Sequence, residues 1–148
     1  MFAPRRNLHS FSIGIWNANG LRAKSAEFKD FIERNNLDVI LVTETHFSQG
    51  NCVRVANYEL FNVDRPLVGI QLSGGTAIYV KRGFNATLAK VPDLKFIEVC
   101  PIILDFPFIT NLLVAASYVP CDRRRRNLLR QDLTSLTKKF QNFILVGD

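Results

Sequence analysis

Apolar and polar positions in the first third of the chain follow two different periods. Phe11, Ile13 and Ile15 alternate with Ser12, Gly14 and Trp16, the period of two expected of a strand with two distinct faces. Asn17-Ala18-Asn19-Gly20 interrupts it with residues suited to turns. From Ser25, a helix-capping residue type, Phe28, Phe31 and Ile32 fall on one face at helical spacing, with Glu27 in the first turn, where the helix dipole favours negative charge. Asp38-Val39-Ile40-Leu41-Val42-Thr43 is a short continuous apolar run, the mark of a strand buried on both faces. Strand, helix and strand in close succession are what a βαβ unit requires.

The middle of the chain changes character. Tyr58 to Val63, Gly75 to Lys81, Asn85 to Lys90, Leu94 to Leu104 and Thr110 to Tyr118 read as successive strands separated by Gly, Pro, Asn and Asp, without a helical pattern among them. They predict a run of antiparallel neighbours. A last helix is predicted over Asp122 to Phe140, where Leu129, Leu133, Leu136 and Phe140 form one apolar stripe, and a final strand over Asn142 to Val146. With no repeat, low-complexity tract or linker, residues 1–148 read as a single mixed α/β unit.

Composition narrows the class. A hydrophobic content of 47% with 11% aromatics excludes a disordered chain, and a net charge of +6 favours a polyanionic partner such as nucleic acid. Cys52, Cys100 and Cys121 are odd in number, widely spaced and without a CxxC pair, which argues against a disulfide framework and a zinc site. No apolar run approaches the roughly 18 residues of a membrane span, and nothing near the N-terminus reads as a signal peptide, so the expected setting is intracellular, away from membranes.

Candidate chemistry sits where strands end. Trp16 runs into Asn17 and Asn19, Val42 into Thr43-Glu44-Thr45-His46, and Val146 into Gly147-Asp148. If these strands are neighbours in one sheet, an amide and two carboxylates converge on one edge, an oxygen-rich environment suited to Mg²⁺. Tyr118, ending a further strand before Pro120, would join them. Each residue also has a plainer reading: Asn17 and Asn19 as turn formers before Gly20, Glu44 as a solvated strand end, Tyr118 as a core aromatic. Gly74-Gly75 is expected to be a turn or bulge, His9 a surface residue, and the cysteines ordinary core or loop residues.

Arg123-Arg124-Arg125-Arg126 directly follows Asp122, the predicted helix cap. Four cations at a helix N-terminus conflict with its dipole, and an external anion relieves that conflict, so the run is a candidate contact for DNA phosphate.

Trp16-Asn17-Ala18-Asn19-Gly20-Leu21-Arg22, Thr43-Glu44-Thr45-His46, Gly74-Gly75-Thr76-Ala77-Ile78-Tyr79-Val80, Ser117-Tyr118-Val119-Pro120 and Val146-Gly147-Asp148 stand in the order of the endonuclease/exonuclease/phosphatase superfamily. Their wording most resembles the apurinic-type endonuclease domain of jockey-like non-LTR retrotransposons. The resemblance implies a four-layer α/β sandwich of the DNase I-like, exonuclease III-like kind, incomplete at its C-terminus. It implies Mg²⁺-dependent phosphodiester cleavage, with Mn²⁺ as the alternative ion, nicking DNA in the nucleus for a reverse transcriptase encoded downstream. Asn17 and Glu44 then belong to the metal and phosphate site, Glu44 holding the metal. Tyr118 contacts the scissile phosphate region, and Asp148 helps to activate the attacking water.

The family pattern continues with an Asn two residues after that Asp and, later, an Asp and a His, positions this sequence does not contain. Weak or absent activity is therefore expected of these residues alone, with poor solubility from an exposed inner sheet face and an apolar edge strand. His46, two residues after Glu44, is the one residue placed to substitute for the missing His, and a contact to substrate or solvent is the plainer expectation for it. Two other function classes stay open: a non-catalytic nucleic-acid-binding remnant, and a phosphatase or sphingomyelinase-type member of the same superfamily.

Overall fold

The alternating pattern becomes eight strands among the residues described, 10–65 and 73–148, in a computed structural model of the chain. In order the elements are β1 (Ile13–Asn17), α1 (Ser25–Asn35), β2 (Val39–Thr43), β3 (Tyr58–Val63), β4 (Thr76–Lys81), β5 (Asn85–Leu88), β6 (Glu98–Asp105), β7 (Leu112–Tyr118), α2 (Arg126–Lys139) and β8 (Phe143–Gly147). One sheet has the order β1-β2-β4-β3 and the other β5-β6-β7-β8. β1 runs parallel to β2 and β7 parallel to β8, each pair joined through a helix, while the remaining pairs are antiparallel. The expected run of antiparallel neighbours is thus broken once, where the chain leaves β4 through Gly83, in the left-handed region at φ 104°, and starts the second sheet with β5.

Side-chain alternation explains the layering. Val39 and Leu41 of β2 with Ile78 and Val80 of β4 meet Cys100, Ile102, Val114 and Ala116 of the second sheet in one buried cluster. Their neighbours Ile40, Val42, Ala77 and Tyr79 point the other way and are covered by Phe28 and Ile32 of α1. On the far side, Val99, Leu113 and Ala115 pack under Leu129, Leu133 and Leu136 of α2. The result is the expected four-layer α/β sandwich of helix, sheet, sheet and helix. Each fully buried aliphatic or aromatic side chain contributes about 1.5–3 kcal/mol.

Local departures have local causes. Ser25 opens α1 instead of capping it, because a 3₁₀ turn at Leu21–Lys24 already occupies the residues ahead. A second 3₁₀ turn, Arg123–Arg125, likewise precedes α2, and Asp122 caps that turn by accepting from the Arg124 N–H. Residues 94–97, expected as strand, are not: the N–H groups of Lys95, Phe96 and Ile97 donate to the buried Asp132 carboxylate of α2 at 3.0, 2.7 and 3.0 Å. Ile15, expected on the apolar face of its strand, is 55% exposed because β1 lies at the sheet edge. His9 lies outside the described residues.

Candidate active site

Asn17 and Thr43 are paired in the parallel β1–β2 register, and beyond them the two segments stay bonded. Ala18, Gly20 and Leu21 donate their N–H groups to the carbonyls of Thr43, Glu44 and Thr45 at 2.9, 2.9 and 3.1 Å. Asn17 Oδ1 accepts from the Asn19 N–H, closing a tight turn and fixing the amide so that Nδ2 points outward. Beside it, Thr45 and His46 donate to the carbonyls of Gly75 and Gly74. Gly74 and Gly75 lead into β4 with both residues left-handed, at φ 65° and 84°.

The second sheet supplies the rest. Ser117 pairs with Gly147 in the parallel β7–β8 register, placing Tyr118, the last residue of β7, beside Asp148, the residue after β8. Asp148 is held there by its N–H to the Ser117 carbonyl and by its own carbonyl accepting from the Val119 N–H. The condition that the three strand ends be neighbours in one sheet is therefore not met. Asn17 and Glu44 come from one sheet, Tyr118 and Asp148 from the other, and face-to-face packing brings them to one rim.

Contact across that rim is direct. The Asn17 amide Nδ2 donates to Glu44 Oε1 at 3.2 Å and also to Asp148 Oδ2. Asn17 and Asp148 are exposed, while Glu44 and Tyr118 are half-buried. Glu44 and His46 are both left-handed, at φ 52° and 53°, so the segment is not the extended chain assumed for it. His46 Nε2 nevertheless lies 3.9 Å from Glu44 Oε2. Burial, and next the Glu44 carboxylate, push the Tyr118 phenol above its ordinary value, with the Arg65 guanidinium pulling the other way. At neutral pH the hydroxyl stays protonated and able to donate.

Two carboxylates meeting one amide, open to solvent, form a hard oxygen donor set. Among the described residues no group of three or more His, Cys, Asp or Glu side chains is placed to hold a metal ion.

The arginine run divides. Arg125, though exposed, lies along the connection before β6, donating from Nη2 to the Lys95 carbonyl at 2.5 Å with its guanidinium 5.9 Å over the Phe96 ring. Arg124 lies 3.7 Å from Asp122 with its side chain 94% exposed, and Arg126 is exposed. The Arg123 side chain lies outside the described residues. Missing from the sequence reading were Arg65 and Glu98, which lie against Tyr118. A Glu on the strand preceding β7 was the only available signal.

A family model described as the Endonuclease/Exonuclease/phosphatase family matches residues 14–148. The chain belongs to that family. Its curated relatives include the "RNA-directed DNA polymerase from mobile element jockey" of Drosophila melanogaster, 33% identical over 72 residues, which are 49% of this chain and 8% of that protein. Another is the "Probable RNA-directed DNA polymerase from transposon X-element" of the same species, 25% identical over 136 residues, 90% of this chain and 14% of that one. The chain thus spans about a tenth of the length of the curated relatives it matches. Among solved structures, an AP endonuclease from Leishmania major aligns with a TM-score of 0.64 at 18% identity, covering 93% of this chain and 54% of that one. A Neisseria 3′ phosphatase bound to a product DNA hairpin aligns with a TM-score of 0.64 at 15% identity, covering 94% and 57%. These similarities establish the family and the fold.

Proposed function

We propose that this family member carries the phosphodiester-hydrolysing site of a DNA-nicking endonuclease from a non-LTR retrotransposon. The observation that carries the reading is the meeting of Glu44 and Asp148, from different sheets, on the single Asn17 amide, with Tyr118 at the same rim. Relatives named as RNA-directed DNA polymerases of mobile elements support the biological setting, in which a nick in nuclear target DNA exposes a 3′ hydroxyl for a reverse transcriptase.

In this reading Glu44 holds a divalent cation, Mg²⁺ or Mn²⁺, which when bound supplies neutralising charge for the phosphate as it is attacked. Asn17 keeps the two carboxylates apart and oriented. Asp148 accepts a hydrogen bond from the attacking water and takes up its proton. Tyr118, protonated, donates to a phosphate oxygen. Arg124 and Arg126 hold flanking phosphates, whereas Arg125 is committed to the Lys95 carbonyl.

A plasmid-nicking assay with Mg²⁺ tests this. Slow, metal-dependent nicking that Glu44→Ala lowers at least about 100-fold is the expected result. Nicking indifferent to Glu44→Ala would refute the site. DNA binding without any nicking would favour a binding remnant, and turnover of small phosphoesters alone would favour a phosphatase of the same family.

A further inference from the structure

A second polar cluster lies beside Tyr118, built from residues with no role so far. Arg65, two residues beyond β3, donates from Nε to Glu98 Oε1 at 2.5 Å, approaches the same oxygen through Nη2, and donates from Nη1 to Ser73 Oγ at 3.2 Å. Glu98 opens β6, pairs in register with Tyr118, and accepts the Gly75 N–H on Oε2 at 3.2 Å. The guanidinium carbon stands 5.4 Å from the Tyr118 ring centroid. A side chain at Gly74 would meet Arg65 Cζ and Nε at 2.7 Å and Glu98 Oε2 at 2.9 Å, so the backbone leaves room for this pair only because position 74 is glycine.

An ordinary surface ion pair contributes little and is held loosely. This one differs on three counts. Both side chains are about three-quarters buried, at 26% and 23% exposed. The planar fork of Arg65 is fastened along two edges, which a Lys could not match. Its face is applied to an aromatic ring whose hydroxyl lies at the proposed reaction centre.

We propose that Arg65 is a positioning residue, clamped by Glu98 so that its guanidinium face fixes the Tyr118 ring and with it the phenol at the phosphate. The proposal rests on the nuclease reading for its catalytic consequence but not for the contact itself.

The full chain labelled with 3-fluorotyrosine gives one resonance for each of its three tyrosines, and Tyr118→Phe identifies the relevant one. Arg65→Met and Arg65→Lys should both move the Tyr118 resonance well beyond its line width and leave Tyr58 and Tyr79 in place. In plasmid nicking both variants should lose about tenfold to a hundredfold in kcat with little change in KM, the scale of a misplaced group. In a Tyr118→Phe background the same substitutions should have almost no further effect. An unmoved Tyr118 resonance overturns the proposal whatever the nicking assay shows. Full rescue by Arg65→Lys, or an equal loss in both backgrounds, also overturns it, by assigning Arg65 a direct charge effect on DNA. A moved resonance in a chain that does not nick sinks the nuclease reading and leaves the positioning contact standing.

Discussion

Glu44 and His46 occupy backbone conformations that cost a non-glycine residue on the order of 1–3 kcal/mol each, and the bonds around Gly74, Gly75 and Gly20 hold them there. Such strain predicts that Glu44→Gly stabilises the fold by about 1 kcal/mol while abolishing nicking; urea midpoints compare the two chains, and a loss of stability would show that the conformation is not strained. Tyr79 behaves in the opposite sense. Its buried hydroxyl donates to the Val53 carbonyl at 2.7 Å, so Tyr79→Phe strands that acceptor and should cost about 1–3 kcal/mol in the same measurement. At this scale the position of Asn17, Glu44, Tyr118 and Asp148 was legible, because each ends or directly follows a strongly patterned strand. The sequence was silent on Arg65, since no local pattern shows that a cation after β3 will meet a glutamate at the start of β6.

Asp132 shows how one element fastens another. It sits three residues after Leu129 and four before Leu136, on the stripe that α2 turns to the core, and a carboxylate there announces buried partners even from sequence. Those partners are the three N–H groups that keep residues 94–97 out of the sheet, with Arg125 and Lys139 binding carbonyls of the same connection at Lys95 and Lys90. Asp132→Ala should therefore cost about 3 kcal/mol or more and speed hydrogen exchange at Lys95, Phe96 and Ile97 before elsewhere. Unchanged exchange at those amides would refute the clamp. The arginine run reads differently in this light: replacing Arg124 and Arg126 with Ala should flatten the salt dependence of DNA binding by about two units of slope, whereas Arg125→Ala should act mainly on stability. Helix and strand identities were legible from periodicity. Sheet membership was not, because β4 and β5 are separated by a single turn that looks like any hairpin.

The whole molecule is two sheets closed on an apolar seam, and its buried weak acids make that closure sensitive to alkali. Burial pushes the Cys100 thiol from 9.0 to about 12 and moves the Tyr79 phenol upward as well. The folded chain keeps those protons while the unfolded chain releases them, so stability is complete below about pH 9 and falls as pH rises toward 12. Urea midpoints between pH 8 and 11 should show the decline, with a shallower one in Cys100→Ala. The two edge strands on the rim side carry exposed apolar residues, Ile15 at 55% and Phe143 at 43%, a liability for association that Ile15→Lys should reduce in light scattering. The Asn17 amide, reaching a carboxylate of each sheet, has a consequence beyond chemistry. Any ion held by Glu44 of one sheet would also feel the charge of Asp148 from the other, so it would be held more firmly while the sheets are closed. Its occupancy then becomes part of the folding equilibrium: saturation at about 100 times the dissociation constant adds about 2.7 kcal/mol against unfolding. A melting temperature that climbs with Mg²⁺ and falls back with EDTA would read the state of the rim without any DNA being cut.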